Sequence, residues 1–222
     1  MAGASAVTEW RGLSWATRLY IYGVTATGLL AILWSLPVAL RRDVPLLLTL
    51  AILSLVASVA KVSLPIPRSV STLTVCYVVD FTTLLLLGRA PATLTAALGA
   101  WSQCTFRRRQ STPSYQTWFS VGALALTAQL AGLTYSWTSG GLLSASGGMN
   151  HVAYPSALLG SPALVEAVIA AAVVFFVANS VLVAIAVALA TSQSALDVWM
   201  RNYLWSWPGH LLGFSLAVGA AA

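Results

Sequence analysis

The chain has 222 residues, of which 59% are hydrophobic and only 7% are charged, and its formal net charge is +6. A water-soluble domain carries about 25% charged residues, so this chain has too few charges to cover a globular surface. Intrinsic disorder is excluded as well, because disordered chains combine low hydrophobicity with high charge. The composition therefore predicts an integral membrane protein of the all-α class, with the lipid bilayer as its solvent.

Seven apolar runs follow one another along the chain, separated by short segments that contain charges, prolines or glycines. They cover residues 19–40, 45–61, 73–88, 91–106, 116–137, 163–190 and 203–222. A membrane-spanning helix needs about 20 mostly apolar residues, with a range of roughly 17–25. The sequence thus predicts a polytopic bundle of about seven transmembrane helices, with limits of about six and eight. Residues 19–222 form one domain, and residues 1–18 form an interfacial N-terminal segment.

The third and fourth runs are separated only by Gly88-Arg89-Ala90-Pro91. Glycine is favoured just after the end of a helix, and proline is favoured in the first turn of the next one. These four residues therefore predict a tight antiparallel hairpin. Pro65 and Pro67 in the preceding linker, residues 62–72, exclude a continuous helix there.

The positions of the basic residues predict a cytoplasmic N-terminus. With this orientation three cations face outward, Arg41, Arg42 and Arg89, and eight of the eleven face the cytoplasm, namely Arg11, Arg18, Lys61, Arg68, Arg107, Arg108, Arg109 and Arg201. Residues 138–162, which contain no charged side chain, then form an outward-facing loop. Seven helices place the C-terminus outside, and the last run has no polar stop, so we expect a longer protein with one more crossing.

The same distribution argues against several function classes. Cations in short gaps set membrane topology and form no basic face, so we expect no nucleic-acid partner. Cys76 and Cys104 lie in apolar runs without a Cys/His cluster, so we expect neither a metal site nor a disulfide. No pattern of nucleophile and base, phosphate loop or Schiff-base lysine is present. We expect no enzyme activity and no cofactor.

Polar residues within the apolar runs are the candidate ligand-binding residues: Asp80, Gln103, Asn179 and His210. Asp80 lies eight residues before Gly88 and hence about 12 Å from the hairpin turn, near the bilayer midplane. A carboxylate at that depth costs about 2.5–3.5 kcal/mol on insertion scales, so it must face other helices or a wet cavity. Either Asp80 is neutral and hydrogen-bonded to the fourth run, where Leu98 and Gly99 lie at matching depth, or it binds a ligand or a proton.

The other polar residues leave similar alternatives open. Gln103, Gln129 and Asn179 either line one cavity or bridge neighbouring helices. His210 follows Pro208-Gly209 and is either a packing residue or a sensor of pH or ligand. Small residues four apart, such as Gly23, Thr27 and Ala31, allow close helix packing, within one chain or in a homodimer.

Several segments are similar to a known family: VAKVSLP at 59–65, LLLLGRAP at 84–91, RRR at 107–109, FVANS at 176–180 and SALDVWMRNY at 194–203. In their order and spacing, over about residues 18–215, the chain resembles the multi-helix N-terminal membrane input module of bacterial cyclic-di-GMP signalling proteins of the HD-GYP or GGDEF type. The resemblance implies a sensor in the bacterial cytoplasmic (inner) membrane. Such a module perceives a small-molecule or membrane signal and passes a helix rearrangement to a cytoplasmic effector. The chain has no HD-GYP or GGDEF residues, so catalysis is not implied.

A second interpretation comes from the short hairpin of runs three and four, which looks like part of the substrate-binding subunit of energy-coupling-factor vitamin transporters. Those subunits normally have six helices and act with a membrane partner and ATPases. This resemblance implies a membrane component for small-molecule transport.

Overall fold

The computed structural model describes residues 10–59, 61–63, 72–74, 76–106, 113–139, 162–203 and 207–221. The described residues form eight α-helices, which we number in chain order as α1 (Trp15–Ala39), α2 (Val44–Val59), α3 (Cys76–Leu87), α4 (Arg89–Phe106), α5 (Ser114–Thr138), α6 (Pro162–Thr191), α7 (Ala195–Asn202) and α8 (Trp207–Ala221). Two three-residue strands, β1 (Lys61–Ser63) and β2 (Thr72–Thr74), pair antiparallel between α2 and α3. The predicted all-α class is therefore confirmed. Most of the predicted loop at 138–162 and the Arg107–Arg109 cluster lie outside the described residues.

Seven of the eight helices correspond to the seven predicted apolar runs, and the additional helix is α7. This helix has Asp197 in its first turn and Arg201 in its last turn, a charge order that complements the helix dipole. Val198 of α7 is buried against Ala184 and Ala188 of α6, so α7 folds back along α6. The last helix consequently begins at Trp207, four residues later than the apolar run that predicted it.

The predicted hairpin between α3 and α4 is confirmed. Gly88 lies between the two helices with a φ of +87°, a backbone conformation that favours glycine. Its N–H donates to the Leu84 carbonyl at 3.1 Å, and its own carbonyl accepts from the Ala92 N–H at 3.2 Å. The end of one helix and the start of the next are thus capped by the same residue.

The central helix is α5, which packs against α1, α4 and α6. Gly28 of α1 and Gly122 of α5 lie backbone to backbone, and a Cβ atom on Gly122 would lie 2.8 Å from the Val24 carbonyl oxygen. The same helix pair is bridged by Gln129, whose Nε2 donates to Ser35 Oγ at 2.6 Å. The side chain of Gln129 therefore bridges helices, which is one of the two roles the sequence left open.

A cluster of aromatic rings attaches α8 to the bundle. Phe214 of α8 contacts Phe81 of α3 and Phe175 of α6, with ring centroids 4.7 Å and 5.9 Å apart. Phe81 and Phe175 are almost completely buried. These rings form the part of the core that lies between α3, α6 and α8.

Two helices, α1 and α6, are long and apolar enough to cross a membrane, with 25 and 30 residues. Only 22% and 28% of their most apolar 18-residue windows are buried, whereas the core helix of a soluble protein is mostly buried. Large apolar side chains of α1 face outward, among them Leu30, Leu33 and Trp34. Helices α2 and α3 are also apolar but shorter.

Candidate functional site

Asp80 lies in the middle of α3, where α2 and α4 pack against it, and only 1% of its surface is exposed. Ser54 Oγ of α2 donates to Asp80 Oδ1 at 3.1 Å and also lies 3.3 Å from the Thr95 carbonyl oxygen of α4. The second carboxyl oxygen, Asp80 Oδ2, has no hydrogen-bond partner among the described residues. The Ser54 hydroxyl of α2 therefore contacts α3 at the Asp80 carboxyl group and α4 at the Thr95 carbonyl group.

Among the described residues, the hydrogen-bond partner of Asp80 is thus on α2 and not on α4, where one of the two sequence interpretations placed it. The reason is the small residue that α4 presents at this depth. A Cβ atom on Gly99 would lie 2.8 Å from Ser54 Oγ and 3.9 Å from Asp80 Oδ1. Because glycine has no side chain, the Ser54 hydroxyl can occupy this space. Leu98, at the same depth, is 39% exposed and faces away from the carboxyl group.

A cavity of about 290 Å³, which we call the polar pocket, lies between the start of α3, α5 and α8 and the end of α4, α6 and α7. Its polar lining residues are Tyr77, Gln103, Cys104, Ser120, Asn179, Ser180, Tyr203 and His210. Small apolar side chains complete the walls, for example Ala100 and Ala123. Five helices and the end of α7 therefore contribute to one polar cavity.

Three of the four predicted site residues meet in this pocket. Gln103 Nε2 of α4 donates to Cys76 Sγ at 2.8 Å, and Asn179 Nδ2 of α6 donates to the Tyr77 hydroxyl at 3.3 Å. The His210 ring lies 4.9 Å from the Tyr77 ring, measured between centroids. Gln103 and Asn179 therefore both bridge helices and line a cavity, so the two roles the sequence left open are compatible.

Asp80, the fourth predicted residue, does not line the polar pocket. It lies one helical turn after Cys76, on the face of α3 that packs against α2 and α4, whereas Tyr77 lies on the pocket face. Whether any of these four residues binds a ligand stays a prediction.

The last two helices take part in the pocket wall. Tyr203, at the end of α7, and His210, in the first turn of α8, both line the cavity. Trp199 of α7 donates from Nε1 to Ser180 Oγ at 2.9 Å, and Ser180 also lines the cavity. Sequence reasoning missed Tyr77, Ser180 and Tyr203. The spacing from Tyr77 to Asp80 is about one helical turn, and a search for polar groups a turn apart would have included the tyrosine.

The pocket offers carboxamides, hydroxyls and aromatic rings, which are groups that bind and orient a polar molecule. Among the parts of the chain that the structure describes, no cluster of three or more His, Cys, Asp or Glu residues could hold a metal ion. A larger cavity of about 430 Å³ lies between α1, α5 and α6, but its lining is mainly apolar. The polar pocket is therefore the better candidate for specific recognition, because convergent polar groups determine specificity.

No protein-family model matches the chain, and neither the curated proteins nor the solved structures contain a significant match.

Proposed function

We propose that the chain is a multi-pass protein of the bacterial cytoplasmic membrane that acts as a sensory or regulatory input module. A small molecule in the polar pocket changes the packing of α7 and α8, and this rearrangement is passed to a cytoplasmic effector. The observation that carries the proposal is that Tyr203 and His210, on either side of the α7–α8 connection, both line the pocket.

The membrane part of the proposal is supported by helix length and exposure. Helices α1 and α6 are long enough to cross a bilayer, and both expose apolar surface that water would not favour. The shorter apolar helices α2 and α3 pack beside α4, so they share the same layer. With a cytoplasmic N-terminus, α3, α5 and α8 begin on the cytoplasmic side, and the polar pocket lies in the cytoplasmic half of the membrane.

The coupling part of the proposal is supported by the way α8 is held. Its described contacts are mainly with α3, through His210 against Tyr77, Phe214 against Phe81 and Gly213 near Val78. The first of these contacts is also a wall of the pocket. A ligand that separates the Tyr77 and His210 rings must therefore move the beginning of α8. Ligands shift a conformational equilibrium by their difference in affinity for the two states, and this contact supplies such a difference.

A transport component is the second candidate function, favoured by the position of the pocket among several helices rather than on a surface. A transporter must also let the ligand leave on the opposite side of the membrane. Purified protein in vesicles would then move a solute, alone or with a partner subunit, whereas a sensor would bind it without flux.

The sensor proposal can be tested without knowing the ligand, by filling the pocket with a side chain. Ala123→Leu and Ala100→Leu each place a larger group in the cavity, one from α5 and one from α4. Spin labels at Leu98→Cys and Leu216→Cys, in a Cys76→Ala/Cys104→Ala background, report the distance between α4 and α8. Both label positions are exposed.

We expect both filled variants to change the mean label distance by about 1–2 Å, the size of helix shifts in switching proteins. Ala26→Leu, at an exposed position of α1, is the control and should leave the distance unchanged. Unchanged distances in two folded, pocket-filled proteins would contradict the sensor proposal.

A further inference from the structure

The polar pocket presents two carboxamides from two different helices. Gln103 comes from α4 and Asn179 from α6, and each donates one N–H group to a residue of α3. A carboxamide has two N–H donors and an oxygen with two lone pairs, so each keeps a donor and an acceptor for a ligand. The Ser120 hydroxyl already donates to the Gln116 carbonyl at 2.8 Å. The Ser180 hydroxyl donates to the Phe176 carbonyl at 2.8 Å and accepts from Trp199 Nε1 at 2.9 Å. These two serines of the lining can therefore offer a ligand only acceptor lone pairs. The complementary ligand carries a donor and an acceptor close together, as an amide does.

Aromatic rings form another part of the wall. Tyr77 and His210 have ring centroids 4.9 Å apart at an interplanar angle of 36°, and Tyr203 contributes a third ring. Aromatic faces pack well against planar π-systems in offset or edge arrangements. The cavity volume of about 290 Å³ lies just below the range for drug-sized small-molecule sites, roughly 300–1,000 Å³. These features fit a planar molecule of one or two rings.

Charge is missing from the described lining, which includes no Lys, Arg, Asp or Glu side chain. The nearest carboxyl group along α3, that of Asp80, does not line the pocket and instead accepts a hydrogen bond from Ser54 of α2. A charged ligand would lose its hydration without gaining a counter-ion from these residues, which is costly in a low-dielectric site. The described wall therefore favours an uncharged ligand.

We propose that the polar pocket binds a small, planar, uncharged molecule with an amide-like edge, held between the carboxamides of Gln103 and Asn179 and packed on the Tyr77 and His210 rings. The location of the site rests on the proposed function, and the ligand class deepens that function by assigning a chemistry to the signal.

Three probes of nearly equal shape test this ligand class: benzamide, which is neutral, benzoate, which is an anion, and benzamidinium, which is a cation. Saturation-transfer NMR on the full chain in lipid nanodiscs measures binding of each probe. We expect saturable binding of benzamide and at least tenfold weaker binding of the two charged probes, because neither finds a counter-ion among the described lining residues.

The test uses two pocket variants on different helices, so it still gives a result if one of the variants fails to fold. Asn179→Leu and Gln103→Met remove the carboxamides with little change in volume, and each should weaken benzamide binding about fivefold to tenfold. Gln129→Leu removes a carboxamide that bridges α5 and α1 outside the pocket, and it should leave benzamide binding within twofold.

The outcomes separate this inference from the sensor proposal. Tighter binding of benzoate or benzamidinium than of benzamide would overturn the ligand class but leave the sensor proposal standing. Equal binding of all three probes, no binding of benzamide, or no effect of either pocket variant would also overturn it. Benzamide binding as expected, together with unchanged label distances in the pocket-filled proteins, would contradict only the sensor proposal.

Discussion

The two faces of α3 have different surroundings. On one face the Asp80 carboxyl group is closely packed. Ser54 Oγ lies 3.1 Å from Asp80 Oδ1, and Gly99 of α4, which has no side chain, lies next to both groups. On the other face Tyr77 borders a cavity of about 290 Å³ with polar groups from four further helices and α7. An intramembrane charge is a reasonable first indication of a functional site. Here the neighbouring face, which carries no charge among its described lining, has the space and the convergent polar groups that a ligand needs.

The largest effect is expected on the packed face, from Gly99→Val. The new side chain would overlap Ser54 Oγ, because even a Cβ atom would lie 2.8 Å from it. Overpacking of this kind costs about 3 kcal/mol at the upper end of the usual range. Unfolding of the detergent-solubilised protein by heat measures the loss.

Two controls accompany this substitution. Gly23→Val, at a glycine of α1 with nothing within 4 Å of a built Cβ atom, should be much less destabilising. Adding Ser54→Ala to Gly99→Val should recover part of the lost stability, since it removes the overlapping atom. A double variant no more stable than Gly99→Val alone would show that the serine is not the obstacle.

The next effect concerns the Asp80 carboxyl group itself. Asp80→Ala removes one of the two acceptors within reach of Ser54 Oγ and leaves a buried cavity, so it should cost about 2 kcal/mol. Asp80→Asn keeps a carbonyl acceptor at this position and should cost less than about 1 kcal/mol. Both folded variants should bind benzamide within twofold of the wild type, because Asp80 does not line the pocket. A large loss of binding in Asp80→Asn would place the carboxyl group in the ligand site after all.

A smaller effect is expected at the pocket wall, from Trp199→Phe. The substitution replaces the indole with a smaller aromatic ring and removes the Nε1 donor to Ser180 Oγ, and the lost hydrogen bond costs about 1 kcal/mol. Trp137→Phe is the matched control, because Trp137 is 87% exposed and its replacement should be neutral. Thermal unfolding compares the two, and equal stabilities would show that the bond does not help to hold α7 on α6.

The smallest effect should come from Gln129→Ala, which breaks the bond to Ser35 between α5 and α1, away from both faces of α3. Side-chain hydrogen bonds between membrane helices are worth about 0.6 kcal/mol on average. The same unfolding assay should show a loss near this value, with unchanged benzamide binding. A change in binding would mean that the α1–α5 contact influences the pocket.

The helices and the α3–α4 hairpin were predictable because their signals are local. The length of an apolar run shows where a helix can form. Gly88, with Pro91 three residues later, shows where one helix ends and the next begins. The gathering of Gln103, Asn179 and His210 could be suspected, since polar residues in membrane helices usually face other helices. The sequence could not show that Asp80 would be left out of this group.

The remaining features depend on how each helix is rotated about its axis, and nearly uniform apolar helices do not reveal that rotation. For this reason Ser54, one of three hydroxyl residues in its run with Thr49 and Ser58, was not recognised as the partner of Asp80. The separate helix α7 was missed for a different reason. Its charges, Asp197 and Arg201, looked like an inter-helix segment, although their order also suits a short helix.

Cysteine accessibility compares the polar pocket with the surroundings of Asp80 most directly. In the Cys76→Ala/Cys104→Ala background, single cysteines replace either Asn179 or Asp80, and a membrane-impermeant thiol reagent is applied from either side of membrane vesicles. With the proposed cytoplasmic N-terminus the polar pocket lies in the cytoplasmic half of the membrane, so we expect the cysteine at position 179 to react from the cytoplasmic side. The cysteine at position 80, which does not line the pocket, should react from neither side. Reaction at position 80 together with protection at position 179 would contradict the assignment of the pocket face as the ligand site.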